Sequence, residues 1–218
     1  MSRADDDAKR ATALPSNEDP VARQAPFTEA ELRNVTIGEL QPLAGPVQLV
    51  DYDSQWPALF ERASEKIRAA LGSRVLLIEH VGSTSVPGLA AKPIIDALLV
   101  VADSADEPDY VPAMEAAGYV LRIREEDWFQ HRLFKGSDPD MNLHVFSSGC
   151  PETDRMLLFR DWLRHNAADR RLYERTKREL ASQDWKYVQN YADAKSAVVE
   201  EILARAHAGA RAEMHEES

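Results

Sequence analysis

The chain has 218 residues, with 26 Lys and Arg against 37 Asp and Glu, a formal net charge of −11 at pH 7. That sign excludes an extended nucleic-acid surface or a face for anionic membranes, since both need broad cationic cover, but it allows a small phosphorylated ligand in a local positive pocket. Hydrophobic content of 44% suits one globular domain with tails, and a single cysteine, Cys150, excludes an intrachain disulfide. Cys150 sits in a Ser-Ser-Gly-Cys-Pro turn without ligand-type spacing around it and is read as structural. No apolar stretch approaches the roughly 20 residues of a membrane span. Asp5, Asp6 and Asp7 near the start do not resemble a secretory signal, so the expectation is a cytoplasmic protein.

Residues 1 to 26 lack apolar periodicity and carry Pro15, Pro20 and Pro26, which predicts a disordered tail. Residues 27 to 46 form an arm with Phe27, Leu32, Val35, Ile37, Leu40 and Leu43 as anchors. Its first part, Phe27 to Arg33, predicts a short helix capped by Thr28, with Glu31 at capping-box spacing. Such an arm could dock on its own domain or exchange between subunits; the oligomeric state itself is not legible.

The main domain is expected over 47–206, followed by a frayed tail over 207–218. Val47 to Tyr52 alternates as a strand does, and Ser54 is placed as N-cap of a helix that Gly72 ends after Leu71. Strands are predicted over 75–80 and 94–101, and a helix over 108–117. Strands follow over 119–123, 131–135 and 142–146, then helices near 151–166, 169–182 and 185–206. A mixed sheet followed by a helical C-terminal lobe is an α+β layout, and three late strands without intervening helices exclude a purely doubly wound sheet. Trp56, Trp128, Trp162 and Trp185 are read as packing residues.

The run from Pro93 to Val101 carries one charge, Asp96, among Ile94, Ile95, Leu98, Leu99 and Val100. A carboxylate in such a strand is expensive unless it is paired, hydrogen-bonded or holding a cation. Just before it lies the small-residue turn Gly82-Ser83-Thr84, whose backbone N–H groups and hydroxyls could cradle a phosphate. Asn142 and His144 alternate on a later strand and so point the same way. His80, His131 and His144 with Asp96 suggest a transition-metal set, although no compact motif spacing is present. Lys92, Arg132 and Lys135 are the nearby cations that could neutralise phosphate oxygens. Tyr191 and Lys195 are four apart and are expected on one helix face.

The stretch His80-Val81-Gly82-Ser83-Thr84-Ser85-Val86-Pro87-Gly88-Leu89-Ala90-Ala91-Lys92-Pro93-Ile94-Ile95-Asp96 resembles the signature of the GrpB family, which is related to the nucleotidyltransferase superfamily. Leu49 to Pro57, Asn142 to Phe146, Leu158 to Arg164 and Tyr191 to Lys195 agree with it in the same order. The resemblance implies a mixed β-sheet of nucleotidyltransferase-like fold with a C-terminal helical lobe. It also implies that Gly82 and Ser83 hold nucleotide phosphates, with Thr84, Lys92, Arg132 and Lys195 in support, and that Asp96 holds Mg²⁺. Active nucleotidyltransferases alternate two carboxylates on that strand; here Leu98 stands where the second belongs. The leading expectation is a nucleotidyltransferase-like enzyme that binds a nucleoside triphosphate with Mg²⁺, uses Asp96, Asn142 and His144, and transfers a nucleotidyl or phosphoryl group to a small acceptor. The alternatives are a non-catalytic nucleotide-binding module, or a metal-assisted hydrolase or lyase built on His80, His131, His144 and Asp96.

Overall fold

A computed structural model describes residues 26–216, so the expected N-terminal tail lies outside the described residues except for Pro26. Strands β1 (Leu77–Val81), β2 (Ile95–Val101), β3 (Val120–Glu125), β4 (His131–Ser137) and β5 (Asp140–Ser147) form one sheet in the order β1-β2-β5-β4-β3. β2 and β5 run parallel and every other neighbouring pair is antiparallel. The layout is the mixed α+β arrangement expected from the sequence. β2 sits between neighbours and is covered on both faces, which explains its nearly unbroken apolar run.

One face of the sheet is closed by α2 (Trp56–Leu71) and α3 (Glu107–Ala116). Trp56, Phe60, Ala63 and Ile67 of α2 pack there on Ile95, Ala97, Leu99, Leu143 and Val145. The other face receives α4 (Pro151–His165), α5 (Ala167–Ala181), α6 (Val188–Asp193) and α7 (Ser196–Glu216). The loop after β1 is the hinge of this second layer. Val86 and Leu89, both fully buried, pack on Leu163 of α4, Tyr173 of α5 and Ile202 of α7. Full burial of side chains of this size contributes about 1.5–3 kcal/mol each, so the helical lobe and the turn at the end of β1 are held in one register.

Helix α1 (Glu29–Val35) carries the capping box read from the sequence, with Thr28 Oγ1 accepting from the Glu31 N–H and Glu31 reaching back to the Thr28 N–H. The arm lies on its own chain. Phe27 donates its N–H to Asp193 at 2.9 Å, and Thr36 bridges Ile123 at the free edge of β3. Three local expectations change. The strand over 47–52 shrinks to one bridge, Val50 with Ala91. Asp53, not Ser54, stands at the entry to α2, accepting from Gln55 N–H at 2.8 Å. The helix read over 185–206 is two helices, broken at Ala194 and Lys195, and the second continues through Glu216.

Arg132 is not a phosphate ligand. Adjacent strand residues face opposite sides, and next to His131 it points toward α3, where its Nε donates to Glu107 at 2.5 Å. Arg124 holds the same carboxylate and, with Arg132, lowers its pKa; the Arg124 bond is the larger cause. Arg132 is 3% exposed, so removing its partner strands a buried charge. Glu107→Gln is expected to destabilise the fold by about 3 kcal/mol in urea titrations. Because the Glu107 pKa lies below its usual 4.5 in the folded chain, the stabilisation is complete above that pH and fades as pH falls through the folded value. The variant should lose that acid-side slope.

Candidate functional site

Strand register sets the polar rows on the helical-lobe face. Val81, Asp96, Asn142 and Lys135 lie side by side across β1, β2, β5 and β4. Asn142 donates its amide to Asp96 Oδ1 at 2.7 Å and accepts from the Lys135 ammonium. The lone carboxylate is therefore oriented by an amide that a lysine orients in turn, and Asp96 has no direct ion-pair partner among the described residues. The next row is Glu79, Leu98, His144 and Leu133. Leu98 is wholly buried with Val81, Val100 and Phe146, so the position of the missing second carboxylate is filled by apolar packing.

Gly82 has φ +65°, and a Cβ there would lie 2.5 Å from Asp96 Oδ2. Glycine is required twice over, by backbone conformation and by the close approach of the acid. Ser83 to Ser85 then make a single 3-10 turn. Ser85 Oγ closes it on the Gly82 carbonyl at 2.7 Å, and Arg164 of α4 holds the Ser85 carbonyl with two bonds of 3.1 and 3.0 Å.

Lys177 of α5, 2% exposed, reaches down to this turn. Its ammonium donates to Ser83 Oγ at 2.9 Å and to the Ala90 carbonyl, and lies 4.9 Å from the Tyr173 ring centre. Sequence reasoning passed over it among the charges of α5. The signal was its place in the stripe of Tyr173, Lys177 and Leu180, where a lysine occupies an apolar position.

Lys177, Lys92 and Lys195 converge with Ser83, Thr84, Asp96 and Tyr191 on a cleft of about 40 Å³. That space holds a few waters or one tetrahedral anion, at about 10–15 Å³ per water. Lys195 lies in the break between α6 and α7, so Tyr191 and Lys195 do not share one helix; the ammonium nonetheless sits 4.6 Å from the Tyr191 ring centre. Burial and the neighbouring Lys195 push Lys177 down to about 7 and Lys92 down to about 8. Burial also lowers Lys195, against the pull of Asp96. The Tyr191 hydroxyl is buried and has no hydrogen-bond partner among the described residues. Three crowded lysines give the pocket a local positive field in a chain of net charge −11.

The four-residue metal set does not assemble. His80 pairs with Ala97 on the opposite sheet face, where its ring stacks on Phe60 at 4.8 Å and its Nε2 meets Thr84 Oγ1 at 3.0 Å. It lines a separate cleft of about 280 Å³ with Tyr52 and Glu61. Burial lowers its pKa to about 4. His131 and His144 do meet, with Nε2 and Nδ1 3.1 Å apart, but His131 spends its other nitrogen on Glu125 at 2.6 Å. Among the described residues no group of three or more His, Cys, Asp or Glu could hold a metal ion. Cys150 is the buried residue before α4, its thiol pKa raised by burial, as its structural reading expects.

The family profile described as GrpB protein matches residues 46–205. The chain belongs to the GrpB family. A UPF0157 protein of Halalkalibacterium halodurans is 60% identical over 187 residues, covering 86% of this chain and 96% of that one. The crystal structure of the GrpB protein from Enterococcus faecalis superposes with a TM-score of 0.65 at 31% identity, over 73% of this chain and 96% of that one. The α+β arrangement is therefore the GrpB fold. A looser overlap with the Cid1 poly(U) polymerase, at TM-score 0.45 and 11% identity, carries no weight for chemistry.

Two outcomes test the site's construction. Gly82→Ala should lower stability by at least about 2 kcal/mol in thermal melts, through the positive φ and the clash with Asp96. Lys177, with its folded pKa near 7 against the usual 10.5, holds fewer protons than in the unfolded chain between those values. Stability should therefore rise as pH climbs from 7 toward 10, and Lys177→Met should flatten part of that slope in urea titrations, with Lys92 supplying the rest.

Proposed function

We propose that the cleft holds one phosphate group of a nucleoside triphosphate, with Mg²⁺ carried on the phosphate oxygens beside Asp96, and that the protein transfers a nucleotidyl or phosphoryl group to a small acceptor. The observation that carries this reading is the meeting of Lys92, Lys177 and Lys195 with Ser83, Thr84 and Asp96 at one small cleft, in a chain of net charge −11. An anion there would relieve repulsion among the ammonium groups. The space accommodates one phosphate group, so the other phosphates, the sugar and the base would lie outside it.

The donor set suits a cation that arrives with its ligand. Mg²⁺ ordinarily binds through one or two carboxylates plus phosphate oxygens and water, and Asp96 supplies one. When bound, it would neutralise charge developing on the transferred phosphorus and its oxygens. Asn142, itself held by Lys135, orients the Asp96 carboxylate, which the expected roles of Asp96 and Asn142 require. Lys177 fixes Ser83 and offers its charge to the phosphates, and Lys92 and Lys195 flank it. These lysines would supply positive charge of the kind a second metal ion brings.

A second reading, nucleotide binding without turnover, is favoured by one observation: buried Leu98 leaves no second carboxylate. Both readings require triphosphate binding. In thermal denaturation with ATP or GTP at a hundred times Kd, the fold should gain about 2.7 kcal/mol, with a further rise on adding MgCl₂. Lys177→Met should abolish the nucleotide effect, and Asp96→Asn should remove only the Mg²⁺ increment. Melting curves unmoved by ATP, GTP and pyrophosphate alike would overturn both readings, and turnover that survives Asp96→Ala would remove Asp96 from the mechanism.

A further inference from the structure

A second cavity, about 340 Å³, lies against the same sheet face, one row along from the lysine cleft. Asn142 and His144 are alternate residues of β5, so their backbones are about 7 Å apart. Asn142 serves Asp96, and His144 lines the second cavity. The break between α6 and α7 separates the two spaces: Tyr191 and Lys195 face the cleft, Ala192 and Ser196 the cavity. The volume falls within the range of pockets that enclose small organic ligands, about 300–1,000 Å³.

Three strands bring a proton path to its wall. Glu125 of β3, 7% exposed, meets His131 Nδ1 of β4 at 2.6 Å, and His131 Nε2 meets His144 Nδ1 of β5 at 3.1 Å. With Glu125 accepting from the Nδ1–H of His131, a His131 that carries no second hydrogen has Nε2 free to accept. His144 must then donate from Nδ1, which leaves a lone pair on its Nε2. That nitrogen has no protein partner among the described residues. Burial lowers His144 to about 4, which keeps it neutral.

The remaining walls define what fits. Phe27, Leu32, Ile123, Phe146 and Met156 give an apolar body. Glu152, Asp193 and Glu200 face in with one guanidinium, Arg155, which pairs with Glu152 at 3.0 Å and with Glu200. Carboxylates outnumber fixed cations, so the complementary ligand is positive.

We propose that this cavity seats the acceptor: a small molecule with an apolar body, an ammonium group answering Glu152, Asp193 and Glu200, and a hydroxyl presented to His144. Its reactive half rests on the triphosphate reading of the neighbouring cleft; its binding half does not. The ammonium, held protonated by carboxylates, has no lone pair to give, so the hydroxyl is the nucleophile. Its oxygen forms a bond to phosphorus as the bond to the leaving phosphate oxygen breaks, with that electron pair departing on the leaving group. The hydroxyl proton passes to His144 Nε2, the His144 Nδ1 proton to His131 Nε2, and the His131 Nδ1 proton to Glu125. No redox change occurs.

The test uses 2-amino-1-phenylethanol as probe and mandelate, with the same ring and hydroxyl but the opposite charge, as control. Calorimetric titration without nucleotide should show saturable binding of the amine and binding of mandelate at least about tenfold weaker. Ala192→Trp, which fills the cavity from α6, should remove amine binding. If that variant melts abnormally, Ser196→Trp from α7 serves the same purpose. Equal binding of both probes, or binding untouched by a folded cavity-filling variant, overturns the site. Imidazole ¹⁵N spectra should show His144 protonated at Nδ1 only; an Nε2–H tautomer overturns the proton path. With ATP and Mg²⁺ present, His144→Gln should keep amine binding but slow adduct formation about 10²–10⁴-fold. Amine binding without adduct in the wild type overturns the reactive half alone, while the triphosphate reading stands or falls by its melting curves.

Discussion

Asp96 is the constraint around which the rest is arranged. A carboxylate in an interior strand of a mixed sheet survives only if its charge is managed on every side. Asn142, itself held by Lys135, takes one oxygen, and Gly82 lets the turn come close enough to cover the other. The lysines stand farther off and act through space, not by contact. A direct ion pair would have satisfied the acid and closed the cleft. The amide relay keeps the charge and leaves an opening beside it.

The residues that build this site were unevenly visible in the sequence. The small-residue turn and the isolated acid could be read because each breaks a local pattern, one by its glycine and hydroxyls, the other by its charge in an apolar run. Strand alternation gave Asn142 and His144 a common face without knowledge of partners. It could not place His80, because the parity of β1 relative to β2 depends on register, and register put Val81, not His80, beside Asp96. Arg132 failed for a related reason: next to His131 it had to face away, toward Glu107. Lys177 was hidden because α5 is rich in charge, and only its position between Tyr173 and Leu180 marked it as buried. The break after Asp193 carries no proline or glycine, and the chain's own arm, bonded to the Asp193 carboxylate, is a long-range partner no local rule supplies.

The same strand face carries two kinds of chemistry in adjacent rows. One row is charged and opens on crowded ammonium groups; the other is neutral and passes through imidazoles to a buried glutamate. Separation matters to both. A histidine placed among the lysines would lose its hydrogen-bonded partner, and a lysine beside His144 would compete for the path to Glu125. Leu98, in the row of His144, and Phe146, in the row beyond it, pack with Val81 and Val100, which limits solvent beside the imidazoles.

The charges of the cleft belong to different layers. Asp96, Ser83 and Lys92 ride on the sheet and its loops, whereas Lys177 rides on α5 and Lys195 on the break between α6 and α7. Across the cleft Lys92 repels Lys195, opposed by the pull of Asp96 and by Val86, Leu89 and the Arg164 clamp. On the triphosphate reading, a polyanion settling between them would act as mortar. How firmly the helical half grips the sheet and how full the cleft is are therefore one mechanical quantity, and heat should shear this joint first when nothing fills it.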